Sequence, residues 1–487
     1  QGMSVSAARP VLAVASECAP LVKTGGLADV VGALPQALAA EGWAIRTLIP
    51  GYPRVMAALK KPKAVMVLPD LLGVPARVLA APVAGLDLLI LDAPALYDRE
   101  GSPYLDAAGH DWTDNDLRFA ALGKAAALIA AGGIAGWRPE LLHLHDWQAG
   151  FAPVYQRLLG ATQPSLMTIH NIAFHGLTGA HRLTALKLPD EAFTLDVAEF
   201  YGHLSALKAG LTGATAINTV SPTYAQELCT PEFGMGLEGL IRARAADMSG
   251  ILNGIDTRSW DPTSDPLISP FATPAAKAAN TRALRAEFGL TPAEGPLAVV
   301  VSRLSDQKGL DLLLTALPAL VENGGQLAML GSGDRRLENA WLAAAAAHPG
   351  NVAVRVGYDE ALSHRIYAGA DAVLVPSRFE PCGLTQMYGL RYGAVPVVAR
   401  TGGLADTVIH ANAAALAAGC ATGIVHDPHS AEALAQALRQ LCALWADRAV
   451  FRKIQKNAMK HPVGWEASAP LYAALYARLA ALPQEPA

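Results

Sequence analysis

The sequence predicts an α/β fold of two doubly wound, Rossmann-like lobes facing a central cleft. Three observations carry this. Short apolar runs alternate with longer Ala-rich stretches of helical pattern along the 487 residues, the order that builds doubly wound sheets. The apolar runs are nearly uninterrupted rather than alternating, as expected of strands buried on both faces of a parallel sheet. The hexapeptide Thr24-Gly25-Gly26-Leu27-Ala28-Asp29 recurs as Thr401-Gly402-Gly403-Leu404-Ala405-Asp406, each copy after a strand and at the start of a helix. Gly pairs there permit close backbone approach, and helix N-termini attract anions. The default ligand site is therefore a cleft to which both copies contribute.

The first strand is 11–15. Arg9 ahead of Val11-Leu12-Ala13-Val14-Ala15 gives it the outline of a signal sequence. The run is shorter than the roughly 7–15 residues of such a segment, and Glu17 closes it. Gln1-Gly2 ahead of Met3 reads as an expression scar. Strands follow at 45–49, 64–67, 86–91, 141–145, 165–170 and 216–220, with helices at 28–40 and 115–131. A second series has strands at 297–302, 326–331, 352–356, 372–375, 395–398 and 423–425, with helices at 309–320, 335–348 and 430–446. Between the series, Asp261-Pro262, Asp265-Pro266 and Ser269-Pro270 interrupt any periodicity and mark the hinge. Pro462 ends the last helix of the second lobe, and Trp465 opens an amphipathic helix over 466–482. The lobes read as 3–258 joined by 465–487, and 259–464.

Composition excludes several classes. Apolar residues are 52% and charged residues 16%, against a usual charged share of about 25%, which excludes disorder. A formal net charge of −4 leaves no cationic excess for a nucleic-acid backbone. No run of about 18 uncharged apolar residues predicts a membrane span. The five cysteines (18, 229, 382, 420 and 442) are widely spaced without a C-x-x-C pair. They point to a reducing, cytoplasmic compartment rather than a disulfide framework or zinc site. The absence of G-x-G-x-x-G after the first strand, of a Walker motif and of G-x-S-x-G weakens nicotinamide, triphosphatase and serine-hydrolase readings.

Candidate chemistry lies at strand ends. Arg303 and Lys308 flank the turn between strand 297–302 and the next helix, where two permanent cations suit a diphosphate, although both could be solvated surface charges. Glu380 follows strand 372–375 in a turn set by Pro381 and Gly383. It could accept bonds from sugar hydroxyls or merely complement a helix dipole. His143, His145 and Asp146 end one strand, and His170 and Asn171 another. They could face the cleft or be structural. Residue type alone leaves a metal site from His145, Asp146 and His170 open. Asp114-Asn115-Asp116 is a D-x-D tripeptide directly before an apolar helix, and we read it as a helix cap rather than a metal site.

Together these segments resemble the ADP-glucose-dependent bacterial glycogen synthases and plant starch synthases. The resemblance rests on Lys23-Thr24-Gly25-Gly26-Leu27-Ala28-Asp29, His145-Asp146-Trp147, His170-Asn171 and Thr219-Val220-Ser221-Pro222. It continues through Asn253-Gly254-Ile255-Asp256, Ser302-Arg303-Leu304 with Gln307-Lys308-Gly309, and Glu380-Pro381-Cys382-Gly383-Leu384-Thr385-Gln386. It implies a GT-B-type glycosyltransferase fold whose last helix returns to the first lobe. It also implies metal-independent, retaining transfer of glucose from ADP-glucose, a substrate rather than a cofactor, to the non-reducing end of an α-1,4-glucan.

Roles follow from the same resemblance. Arg303 and Lys308 would stabilise charge on the leaving diphosphate, Glu380 would orient the donor, and His170 would face the glucosyl ring. Lys23, with Asp29 beside it, and the amides of Gly25, Gly26, Gly402 and Gly403 would lie by the phosphates. Asn253, Cys382, Gly383, Leu384, Thr385 and Thr401 would complete the donor site. Tyr104, Asp146 and Asn171 would lie on the acceptor side. Sucrose-forming relatives carry a second Glu where this chain has Tyr388, which argues against a disaccharide product. Retention of Lys23, His170, Arg303, Lys308 and Glu380 together argues against a binding protein without activity. One departure is His175, where the branch often has Gln.

Overall fold

Residues 7–483 are described by the computed structural model. Gln1-Gly2 and the outer ends of the lobe boundaries, residues 3 and 487, lie outside them. The chain forms two units. The first comprises the chain up to Val220, Ala225–Ile251 and the chain from Trp465. The second comprises Ser221–Tyr224 and Leu252–Gly464.

The first unit is built on β1 (Arg9–Val14), β2 (Trp43–Pro50), β3 (Lys63–Leu71), β4 (Val74–Val83), β5 (Leu86–Asp92), β6 (Leu141–His145) and β7 (Ser165–Ile169). A separate small sheet holds β8 (Leu177–Gly179), β9 (Glu199–Phe200) and β10 (His203–Ser205), and the main sheet is completed by β11 (Ala216–Thr219) and β12 (Met248–Gly250). The nine-stranded order is β12-β11-β7-β6-β1-β2-β5-β4-β3. Pairing is parallel from β12 to β5. The fully buried β6 and β7 explain the unbroken apolar runs.

The expectation of buried parallel strands fails at one edge. β3 and β4 form an antiparallel hairpin on β5, and β3 is largely exposed. Leu72 and Gly73 both take positive φ, and Asp70 accepts a bond from the Gly73 amide at 2.7 Å, a tight hairpin turn. Pro75 and Pro82 at the ends of β4 disguise it as loop. The helix Ala469–Ala480 belongs to the core beside β1 and β2. Tyr472, Tyr476 and Leu479 pack with Val11, Ile45 and Leu34.

The second unit has β13 (Leu297–Leu304), β14 (Gln326–Gly333), β15 (Val352–Val356), β16 (Ala372–Val375), β17 (Val395–Ala399) and β18 (Ile424–His426), all parallel in the order β15-β14-β13-β16-β17-β18. Leu313, Leu317 and Leu320 recur at helical spacing on Leu310–Val321. They pack with Leu434, Leu438 and Leu441 of Ala431–Ala446, each such burial contributing about 1.5–3 kcal/mol. Among the described residues no helix is long and apolar enough to cross a membrane.

Candidate active site

In the second unit, the carboxyl ends of β13 and β16 bring Arg303, Lys308 and Glu380 into one region. Arg303 is exposed near the end of β13. Lys308 closes a short turn, and Gly309 follows at φ 68°, where a Cβ would lie 1.9 Å from the Pro376 carbonyl oxygen. Only glycine lets the turn close on the β16 loop. The Lys308 ammonium donates to both Glu380 oxygens, at 3.0 and 2.8 Å. Ser377 donates to the same carboxylate at 2.9 Å. The carboxylate is therefore ion-paired rather than a simple complement to a helix dipole.

Residues given no role in the sequence reading hold this arrangement. Arg378 binds both Asp311 oxygens at 2.8 and 2.7 Å and the Asp306 carbonyl at 2.7 Å, tying the Lys308 turn to the Glu380 loop. Gln386, fully buried, donates to the Cys382 and Gly383 carbonyls at 3.0 and 2.8 Å. Ser221 donates to the Pro381 carbonyl at 2.6 Å. The partners of Arg378 and Ser221 lie far along the chain, so spacing alone does not mark them, whereas Gln386 folds its own loop locally.

The second copy of the repeat is a packing device. A Cβ on Gly402 would lie 1.8 Å from the Glu380 carbonyl oxygen, and one on Gly403 2.2 Å from that of Cys382. The Gly403 amide, expected to face a phosphate, donates instead to the carbonyls of Glu380 and Pro381 at 3.2 and 3.0 Å. Asp406 accepts from the amide and hydroxyl of Thr223, both at 2.7 Å. Thr401 is buried beside them. The loop through Cys382, Gly383 and Leu384 leads into the helix Thr385–Arg391. Burial pushes the Cys382 thiol up to about 12, so it acts as an apolar wall. The Asn253 backbone amide bonds that sulfur. Asn253 Oδ1 is buried without a hydrogen-bond partner, an acceptor suited to a ligand donor. Tyr388 packs on Trp260 at 4.0 Å between ring centres.

The first copy is different. A Cβ on Gly25 or Gly26 would meet nothing within 4 Å, so these glycines leave open space at the start of Gly26–Ala39. Lys23 pairs with Asp29 at 2.8 Å. The Thr24 hydroxyl donates to the buried Glu17 carboxylate, whose pKa burial raises. Tyr104 bonds Ser16 at 2.7 Å, next to this loop. Lys23, Thr24, Arg54, Arg99 and Ser102 line a cavity of about 370 Å³.

Asp146, His170 and Asn171 meet at the ends of β6 and β7. Asp146 sits at φ 59°, ψ −171°, a region that costs a non-glycine residue about 1–3 kcal/mol and clusters at functional sites. Its carboxylate accepts the His170 amide at 2.7 Å. Burial pushes its pKa up to about 7, against the backbone bonds from His170 and Asn171. His145 Nδ1 lies 2.9 Å from His170 Nε2, and burial pushes His170 down to about 3, so this pair is neutral at pH 7. Asn171 folds its own loop by accepting the Ala173 amide at 3.0 Å.

The cap expected of Asp114 is a correction. Asp114 occupies the N-cap position of Asn115–Gly132 but makes no side-chain cap bond. Arg99 takes both its oxygens at 2.6 Å, and Asp116 is taken by Arg182 and Thr178 at 2.7 and 2.9 Å. Arg99, distant in sequence, outcompetes the local amides for Asp114, while Asp116 also accepts the neighbouring Leu117 amide at 2.7 Å.

Residues 10–243 match the family model of the starch synthase catalytic domain, and residues 284–458 that of group 1 glycosyl transferases. Glycogen synthase of Paracoccus denitrificans (strain Pd 1222) is 60% identical over 472 residues, 97% of this chain and 99% of that protein. Glycogen synthase of Jannaschia sp. (strain CCS1) is 59% identical over 469 residues, 96% of this chain and 98% of that protein. The solved catalytic domain of starch synthase IV from Arabidopsis thaliana, bound to ADP and acarbose, superimposes with a TM-score of 0.85 at 28% identity, covering 98% of this chain and 100% of that one. Sucrose-phosphate synthase from Thermosynechococcus elongatus shares the fold, with a TM-score of 0.59 at 21% identity over 97% and 99% of the two chains.

Proposed function

The chain belongs to the starch and glycogen synthase family of glycosyltransferases, and from that premise we propose how its own residues carry the reaction. The activity is retaining transfer of the glucosyl group of ADP-glucose to the non-reducing end of an α-1,4-glucan, elongating glycogen. The bond from the anomeric carbon to the β-phosphate oxygen breaks, and its electron pair leaves with ADP. The acceptor 4-hydroxyl forms the new bond on the same face, and its proton passes to the departing phosphate.

The observation that carries the assignment is the Arg303, Lys308 and Glu380 constellation at the carboxyl ends of β13 and β16, where ligands of open α/β sheets bind. Arg303 and Lys308 stabilise the diphosphate as charge develops. Lys308 is already fixed by Glu380 at 2.8 Å, so little reorganisation is required. Glu380 orients the donor through sugar hydroxyls. Asn253 Oδ1 supplies a further acceptor, and Cys382, Gly383, Leu384 and Thr385 form the wall beside it. Gly402 and Gly403, with Thr401, support the donor indirectly by seating the Glu380–Cys382 backbone.

Lys23 and the amides of Gly25 and Gly26 approach the phosphates, with Asp29 holding Lys23. His170 faces the glucosyl ring as a neutral group, while Tyr104, Asp146 and Asn171 serve the sugar and acceptor. The two cations take the place that a divalent metal fills in other transferases, so the reaction needs no metal and no cofactor. The partners are ADP-glucose and glucan, not nucleic acid or membrane, in keeping with a net charge of −4. Five free cysteines favour the cytoplasm.

Incubation with ADP-glucose and maltoheptaose tests this reading. It requires α-1,4-linked octaose and longer chains with one ADP per glucose added. Products of β configuration, or ADP without chain growth, would contradict it.

A further inference from the structure

We propose that Tyr476, on the C-terminal helix Ala469–Ala480, is a positioning residue for His170, acting through the stacked pair His143 and His145. This rests on the reading above that His170 faces the glucosyl ring. β6 puts His143 and His145 on one face, because side chains two apart on a strand point the same way. Their rings stack at 4.1 Å with 28° between planes. One end of the stack meets His170, through His145 Nδ1 at 2.9 Å from His170 Nε2. The other end meets the C-terminal helix. His143 Nδ1 is 2.6 Å from the Tyr476 hydroxyl, and His143 Nε2 is 2.6 Å from the Thr168 hydroxyl.

Counting protons sets the direction of both bonds to His143. Asn218 Nδ2 donates to the Tyr472 hydroxyl at 3.3 Å, and Asn218 Oδ1 accepts from the Thr168 hydroxyl at 2.5 Å. The one Thr168 proton is thereby committed, so its oxygen accepts from His143 and Nε2 carries the hydrogen. Burial pushes His143 down to about 3, which keeps the ring neutral. Nδ1 is then a bare acceptor, and Tyr476 donates to it. With both nitrogens engaged, the plane and tautomer of His143 are fixed, and His145 stacks on a ring that cannot turn. Tyr476, His143, Thr168 and Asn218 are all 0% exposed, so bulk water does not replace these bonds.

Packing of the helix does not require the hydroxyl. The Tyr476 ring meets Trp43 edge-on at 5.4 Å, a contact that phenylalanine retains. Leu479, 1% exposed, anchors the same helix in the apolar core and has no polar group to bond the histidines. These two positions separate anchoring from positioning.

The experiment compares Tyr476→Phe, Leu479→Ala and His170→Ala with the full-length wild type, by kcat and KM for ADP-glucose and by Tm, well below the lowest melting temperature. Tyr476→Phe is expected to lower kcat about five- to tenfold with the KM for ADP-glucose within twofold. Leu479→Ala is expected to lower Tm at least as much and leave kcat within twofold. Unchanged kcat in Tyr476→Phe, or an equal loss in Leu479→Ala, overturns the positioning role. Loss of turnover in His170→Ala beside full turnover in Tyr476→Phe overturns the positioning alone. Full turnover in His170→Ala overturns the reading of His170 and the positioning with it.

Discussion

Replacing Glu380 by glutamine removes one charge and keeps the shape. The carboxylate accepts two bonds from Lys308, at 2.8 and 3.0 Å, and one from Ser377, at 2.9 Å. The Lys308 and Glu380 side chains are 18% and 10% exposed. An amide leaves one oxygen for three donor bonds and turns an NH2 toward either the ammonium or the hydroxyl. Taking the partner charge from a buried ion pair costs about 3–5 kcal/mol. Residual exposure places this pair near the lower figure. One kcal/mol shifts Tm by about 2–4 °C in a unit of this size, so a fall of roughly 6–12 °C is expected. Turnover suffers separately, because an ammonium displaced by about 1 Å can cost 10²-fold. Glycogen-dependent ADP release, with a thermal melt of the same sample, reads both. A kcat within threefold of wild type would refute the role of Glu380 even if Tm fell as expected.

Arg303→Ala should lower kcat by the equivalent of about 3–4 kcal/mol; an effect confined to KM would mean that Arg303 binds only the ground state. The two repeat copies should respond oppositely to alanine. Gly402→Ala drives a Cβ against the Glu380 carbonyl and should lower both Tm and kcat. Gly25→Ala meets nothing within 4 Å and should leave Tm unchanged while raising KM for ADP-glucose. Loss of Tm in Gly25→Ala would contradict the division between them. Asp146, with its pKa raised to about 7, binds a proton in the folded state that the unfolded chain has lost, between about pH 4 and 7. Its contribution to stability is therefore present at low pH and lost as pH rises through 7. Melts of wild type and Asp146→Asn from pH 8 to pH 5 should show wild type gaining about 2–3 kcal/mol relative to the variant; a constant gap would contradict the buried, proton-binding carboxyl.

Where an element is buried on both faces, as in β6, β7 and β13, composition alone declared it. β4 escaped notice because its prolines mimic a loop and its partner β3 lies at an exposed edge. The paired cations and Glu380 were legible because each sits within a few residues of a strand end. The two hexapeptides were legible as a repeat, but their different tasks were not. A glycine that leaves open space and one that admits the Glu380 backbone are the same letter, and only the tertiary neighbour separates them. The roles of Arg378 and Ser221 were hidden for the same reason, since Asp311 and the Pro381 carbonyl lie far along the chain. Asp114 was read too locally, as a cap, because Arg99 and its two bonds lie outside any helical window.

The most direct test of the account is nucleoside diphosphate release from ADP-glucose and UDP-glucose, with and without glycogen, in excess chelator. The account predicts glycogen-dependent release of ADP that survives the chelator. Release from UDP-glucose alone would overturn the donor, loss of release with chelator would overturn the metal-free role of Arg303 and Lys308, and no release from either sugar would contradict the reaction itself.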